Sequence, residues 1–114
     1  MTIIVIVHEI DDLNSDKSRT LIEYVSAHSM LPDNPMAFPS TFIAAIGKRL
    51  CHEPITISEK KGILLLLAHH GSQEAVDAIE AYMVHPDASL VHWGNIALDE
   101  GRQFIKIAQE KTVK

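Results

Sequence analysis

Histidines are the residues of this sequence with the most obvious capacity for chemistry. The chain has seven of them among 114 residues, and two stand directly before a glutamate, in His8-Glu9 and His52-Glu53. Imidazole nitrogens bind transition metals and titrate near neutral pH. A metal site needs several donors that converge on one point, and two separate dipeptides do not supply them. We therefore predict no metal and no cofactor, and we keep metal or small-ligand binding through the histidines as the alternative.

Five histidines fall near the ends of predicted helices, where a structural role is common. They are His28, His52, His69, His70 and His85. An imidazole in the last turn of a helix can donate to the free carbonyl groups there, and its protonated form offsets the negative end of the helix dipole. Their positions predict that these histidines stabilise helix ends.

The other reactive residue types form no catalytic pattern. The sequence has no nucleophile motif, no glycine-rich phosphate loop and no Cys-x-x-Cys. Its one cysteine, Cys51, occupies an apolar position, which is typical of a thiol packed in a core. A reactive thiol would need a partly exposed, electropositive setting. We predict a protein without enzymatic activity.

Composition and charge narrow the possible partners and the compartment. The net charge is −5, and an acidic chain does not offer the concentrated positive field that phosphate binding requires, so no nucleic-acid partner is expected. The apolar runs at residues 3–7 and 63–68 are too short to cross a membrane, and the first also lacks the basic start of a secretion signal. A lone cysteine fits a reducing compartment. The predicted location is the cytoplasm, with no membrane association.

Apolar spacing and helix-ending residues predict five helices that would position these side chains. They span residues 17–30, 40–53, 57–70, 72–84 and 88–109. The third contains the apolar run from Ile63 to Ala68, so we place it at the centre of the fold, since a helix that is apolar on all sides is buried on all sides. Three prolines at 32–39 exclude helix there, and we expect Met36 and Phe38 to pack that loop onto the core.

The beginning of the chain allows two interpretations. The β-branched residues of 3–13 favour a strand, but their apolar spacing also fits a helix. Either form leaves apolar side chains or a strand edge without a partner. We therefore predict a homodimer through residues 1–10, arranged most simply about a two-fold axis.

The second half of the chain repeats itself. Residues 42–52 match 75–85 at an offset of 33, and residues 67–71 match 97–101 at an offset of 30. The repeated unit is thus a helix–turn–helix of a little over thirty residues, the size of unit that stacks into solenoids. Gly94, Ala97 and Gly101 lie on one stripe of the last helix, where small residues allow a neighbouring backbone to approach closely.

These repeats resemble a known family. The stretch from Leu67 to Val76 resembles the turn inside a HEAT-like repeat of the short, lyase-associated type, and the stretch from His85 to Leu98 resembles the link to the next repeat. Two positions depart from that pattern: Val91 stands where the family has Arg, and Asp99 where it has Gly. The resemblance implies an all-α single domain over 1–114, a short α-α superhelix of HEAT-like helix pairs with about five to six helices.

The resemblance also bears on function. HEAT-like stacks bind partner polypeptides, so we expect a protein–protein interaction module, a small scaffold or adaptor, with Trp93, His92 and His69 as its candidate partner-binding surface. The alternative for Trp93 is a half-buried place beside the core, which is the commoner position of a tryptophan. A HEAT-repeat family of iron hydroxylases uses His-Glu pairs within its inner helices, but Glu53 precedes Pro54 at a predicted helix end, so that chemistry is not expected. A self-assembling structural subunit is a further alternative.

Overall fold

The computed structural model describes residues 16–112, with side chains described for 19–29 and 31–110. Over this range the protein is all-helical and contains no strand, which confirms the predicted fold class. The five α-helices are α1 (Asp16–Ala27), α2 (Ser40–His52), α3 (Ile57–His70), α4 (Gln73–Tyr82) and α5 (Val91–Thr112). Short 3₁₀ turns cover His28–Met30, Pro35–Ala37 and Ala88–Leu90.

Local capping explains where the central hairpin begins and ends. The Thr56 hydroxyl accepts a hydrogen bond from the Glu59 N–H at 3.1 Å, and the Glu59 carboxylate accepts one from the Thr56 N–H at 3.4 Å, so that both ends of a capping box are formed at the start of α3. Gly71, with φ 79°, ends α3 in the left-handed region. Ser72 then caps α4 by accepting from the Ala75 N–H at 3.1 Å. A two-residue turn therefore joins α3 to α4.

The helices pack in a pattern that follows the sequence repeat. α2 contacts α4 and α3 contacts α5, so equivalent helices of the two repeated units lie side by side, while α1 packs on α5. α3 also contacts α2 and α4, which places it at the centre as predicted. Within its apolar run, Leu64, Leu65, Leu67 and Ala68 are buried. Ile63 and Leu66 are only partly buried, because they line a groove between α2 and α3.

Small residues on α5 permit close helix packing, in agreement with the sequence. A Cβ at Gly94 would lie 2.3 Å from the Met83 sulfur. A Cβ at Gly101 would lie 3.0 Å from a Val76 methyl and 3.6 Å from the Ala68 Cα. The stripe thus allows α5 to approach both α3 and α4 more closely than larger side chains would.

Several details differ from the sequence-based expectations. The predicted helix 17–30 changes to 3₁₀ geometry at His28, and the segment before Val91 is also 3₁₀. Phe38 packs on the core, but Met36 is 60% exposed, so the prediction that Met36 anchors the loop was wrong. The element at 3–13 and the homodimer through residues 1–10 lie outside the described residues. No helix between residues 16 and 112 combines the length and the apolarity needed to traverse a lipid bilayer.

Candidate metal centre

One charged side chain lies in the interior, and it organises the candidate site. Glu100 of α5 is 1% exposed. Among the residues whose side chains are described, it is the one charged residue that is buried. Moving an isolated carboxylate out of water costs far more free energy than a small domain can offset, so a buried glutamate must find partners. Its position on the stripe of α5 that also carries Ala97 and Gly101 explains why it points inward.

Three side chains from two other parts of the fold surround this carboxylate. The Tyr24 hydroxyl, on α1, donates to Glu100 Oε1 at 2.6 Å. His28, one helical turn further along, places Nε2 2.9 Å from Glu100 Oε2. His69, in the last turn of α3, places Nε2 2.9 Å from Glu100 Oε1. We call Tyr24, His28, His69 and Glu100 the buried cluster.

The orientation of His28 is determined by a backbone group. Its Nδ1 lies 2.8 Å from the Tyr24 carbonyl oxygen, which can only accept, so Nδ1 carries a proton and donates. Nε2 is thereby directed at Glu100. An imidazole held by an Nδ1–H to carbonyl bond, with Nε2 directed at a carboxylate, has the orientation of a metal-ligating histidine supported by its second shell.

His69 is less well satisfied than His28. Its Nε2 is buried and close to Glu100 Oε1, yet the ring N–H does not point at that oxygen, and Nε2 has no hydrogen-bond partner. The ring is held edge-on against His28, with centroids 4.5 Å apart, and packs on Phe104 at 4.9 Å. A buried nitrogen without a partner in an otherwise bonded cluster is a position that another ligand could complete.

The cluster keeps its glutamate ionised. Burial raises the pKa of Glu100, but the hydrogen bonds from His28 and Tyr24 and the approach of His69 outweigh it and lower the pKa to about 2. The hydrogen bond to Glu100 raises the pKa of His28, against the opposing effect of burial. Burial and the neighbouring carboxylate raise the pKa of Tyr24 well above 10, so its hydroxyl stays protonated.

The spacing of the donor atoms is compatible with a metal ion. One ligand atom each from His28, His69 and Glu100 lies within 4.8 Å of the others. Bonds of 2.0–2.2 Å in a tetrahedral site place donor atoms about 3.3 Å apart. Shifts of roughly an ångström or less would therefore bring these three atoms around one ion. Two imidazoles and a carboxylate are a donor set used by zinc enzymes and by ferrous iron enzymes.

Trp93 does not lie on the partner-binding surface predicted from the sequence. Trp93 is only 2% exposed: its indole N–H donates to the Lys61 carbonyl at 3.0 Å, and its ring packs against that of Tyr24. It therefore supports the buried cluster from the inside, which corrects its assignment to a surface. His92 is exposed, whereas His69 belongs to the cluster. The three residues do not share one face.

Among the histidines predicted to stabilise helix ends, His70 has the clearest structural role. Its Nδ1 lies 2.8 Å from the Ser72 hydroxyl and its Nε2 2.8 Å from the Phe38 carbonyl oxygen, so the ring ties the end of α3 to the preceding loop. For His28 and His69 that prediction was incomplete, because it missed their common partner. The signal for Glu100 was its place on the small, apolar stripe of α5, where a glutamate is unusual.

A second polar group borders a surface cleft of about 530 Å³ at the other end of α3. Asp87 accepts from Lys60 at 2.7 Å and from the Tyr82 hydroxyl at 2.5 Å. Burial raises the pKa of the Cys51 thiol in this cleft. A raised pKa disfavours the reactive thiolate, which agrees with a packed rather than a nucleophilic cysteine.

Comparisons with protein-family models, with curated proteins and with solved structures found no match for this chain.

Proposed function

We propose that this protein binds a divalent transition metal through His28, His69 and Glu100. The observation that supports the proposal is the convergence of three donor atoms within 4.8 Å, on side chains from three separate segments of the fold. This is the alternative function that the histidine content suggested, now attached to specific residues. Neither His-Glu dipeptide of the sequence supplies a ligand in this proposal.

A metal ion would satisfy what hydrogen bonding leaves incomplete. Glu100 is an ionised carboxylate, and the Nδ1–H of His28 already donates a hydrogen bond to the Tyr24 carbonyl oxygen. His69 Nε2 has no hydrogen-bond partner. A divalent cation between the three would displace the Nε2 proton of His28 to solvent, bind a nitrogen of each imidazole and offset the buried negative charge. Tyr24 would remain bonded to Glu100 and orient it.

The donor set favours zinc or ferrous iron among biological cations. Calcium and magnesium prefer oxygen ligands, and two of the three donors are nitrogens. The three ligands come from the 3₁₀ turn directly after α1, the last turn of α3 and the middle of α5. Since metal binding to such a site also stabilises the fold, it would strengthen the attachment of α1 to the rest of the domain.

Metal titration of the purified metal-free protein tests the proposal. Zn(II) or Fe(II) is expected to bind one ion per chain and to raise the melting temperature. His69→Ala should weaken binding by roughly tenfold or more, on the scale of losing a ligand or its support. His92→Ala, which removes an exposed histidine, is the matched control and should bind as the natural chain does. Absence of one-to-one uptake, or equal loss in both variants, would contradict the proposal.

A second candidate is the protein–protein interaction module expected from the sequence. Its support is the apolar groove between α2 and α3, lined by Phe42, Ile46, Ile63 and Leu66, with Phe42 39% exposed. Apolar side chains grouped at a surface are typical of binding sites. A partner retained from native extract by the natural chain, but not by Phe42→Asp, would support this role. If the natural chain and Phe42→Asp retained the same proteins, the groove would not be the binding site.

The homodimer through residues 1–10 remains a prediction of self-association. Sedimentation of the full chain beside a variant that lacks residues 1–10 tests it. A full-length chain that stays monomeric at high concentration would contradict it.

A further inference from the structure

We infer that a metal ion held by the buried cluster keeps a coordination position open to an external ligand, and that this position takes a small oxygen- or nitrogen-donor anion. The inference rests on the proposed metal function and extends it, because it assigns the class of ligand that the site would accept. The number of available donors, the exposure of the cluster and the packing around it carry the inference.

The described part of the chain supplies three ligands and no fourth. The second ring nitrogen of His28, Nδ1, donates a hydrogen bond to the Tyr24 carbonyl oxygen and is not available to a metal. Tyr24 donates its hydroxyl proton to Glu100, and a neutral phenol donor is a poor ligand. His70, although adjacent to His69, is directed away and bonded to Ser72 and Phe38. Sites with three protein ligands are the ones that leave a position for water or substrate, whereas structural zinc sites are closed by four.

The cluster is largely shielded from solvent, and its two histidines are its more exposed members. The Glu100 side chain is fully buried, so α5 forms the floor of the site. The His28 and His69 side chains are 13% and 16% exposed, so the solvent-exposed part of the cluster belongs to these two histidines, although His69 Nε2 itself is buried. Both lie at helix ends, His28 directly after α1 and His69 one residue from the end of α3. An external ligand would therefore enter between these two helix ends.

Aromatic packing limits the size of that ligand. The His28 and His69 rings lie edge to face at 4.5 Å, and Phe104 covers the other side of His69 at 4.9 Å. These ring contacts crowd the two histidines, so a ligand of a few atoms is favoured over a large molecule. A buried dication with one carboxylate ligand carries a net positive charge, so a small anion is favoured over a neutral donor. Hydroxide, azide and small carboxylates belong to this class.

Cobalt(II) loading of the full chain, followed by azide titration, tests the inference. The visible absorption of Co(II) reports its ligands, and azide is expected to replace bound water and shift the bands in a saturable way. The His92→Ala protein should respond identically. In His69→Ala, which should bind the ion roughly tenfold or more weakly, the response should fall in proportion to the metal bound.

Two other outcomes separate the inference from the proposed function. A Co(II) spectrum that forms, depends on His69 and does not change with azide would overturn the open position while supporting the metal site. In that case a fourth protein ligand closes the coordination sphere. Failure of Co(II) and Zn(II) to bind at all would contradict the metal function and this inference together.

Discussion

Tyr24 and Glu100 are 76 residues apart in the sequence, yet the tyrosine hydroxyl donates to the carboxylate across 2.6 Å in the interior of the protein. The bond joins α1 to α5, and His28, in the 3₁₀ turn directly after α1, makes a second hydrogen bond to the same carboxylate. Hydrogen bonds to a charged group contribute more than neutral ones, about 1.5–3 kcal/mol each. The attachment of α1 therefore depends on a polar cluster as well as on the apolar contacts of Leu21.

Removal of the buried carboxylate should destabilise the metal-free protein strongly. In Glu100→Ala the Tyr24 hydroxyl and the His28 ring lose their buried acceptor, and a cavity is left behind. The free energy of unfolding is expected to fall by about 3–5 kcal/mol, the range for removing one partner of a buried charged pair. Urea unfolding followed by circular dichroism measures it. Glu74→Ala, at an exposed position, is the control and should change stability by no more than about 0.5 kcal/mol.

The stability of the metal-free protein should depend on pH on both sides of a maximum. The pKa of Glu100 is lowered from 4.5 to about 2, so its contribution is present above pH 4.5 and is lost as the pH falls toward 2. The pKa of His28 is raised above 6.5, so its contribution is present below 6.5 and is lost as the pH rises through the raised value. We expect greatest stability between about pH 4.5 and 6.5.

Denaturant midpoints measured across pH, with two variants, check this dependence. The Glu100 shift corresponds to about 3 kcal/mol lost on the acid side. Glu100→Gln should remove the part of the stability loss below pH 4.5 that this carboxylate causes. His28→Ala should reduce the loss of stability above pH 6.5. If both variants kept the full pH profile of the natural chain, groups elsewhere would be responsible.

Two adjacent leucines of α3 should differ in their sensitivity to truncation. Leu67 is fully buried, so Leu67→Ala is expected to cost about 2–5 kcal/mol through lost burial and a cavity. Leu66 is partly buried at the α2–α3 groove, and Leu66→Ala should cost less. Thermal or urea unfolding of the two variants compares them directly. Equal costs would show that the groove is closed in solution.

Replacement by alanine should change the stability of the protein differently at two glycines that lie inside helices. At Gly62 an added Cβ meets no atom within 4 Å, so Gly62→Ala should stabilise the protein by up to about 1 kcal/mol, the difference in helix propensity. At Gly101 the same Cβ would lie 3.0 Å from a buried Val76 methyl, so Gly101→Ala should lose that gain to crowding. Unfolding midpoints decide the point. A comparable rise for both variants would mean that α5 can move away from α4.

The sequence by itself determined the helices, because their signals are local. The spacing of apolar residues and the helix-ending Gly71 predicted α3 with its observed bounds, and Ser72 was predicted as the cap of α4. The Thr56 capping box, which was not predicted from the sequence, also acts within one turn. The repeat at an interval of a little over thirty residues likewise anticipated that equivalent helices would lie beside each other. The unbroken apolar run from Ile63 to Ala68 also predicted the central position of α3.

Only the tertiary structure decided which polar side chains meet. His28 and Glu100 are 72 residues apart, and no local pattern relates them to each other or to His69. The rotation of α5 about its axis is set by the fit of its glycines against α3 and α4. That rotation buries Trp93 and turns Glu100 toward both histidines. Sequence spacing specifies the face of a helix but not the neighbour that the face will contact, because that contact depends on how all the helices pack together.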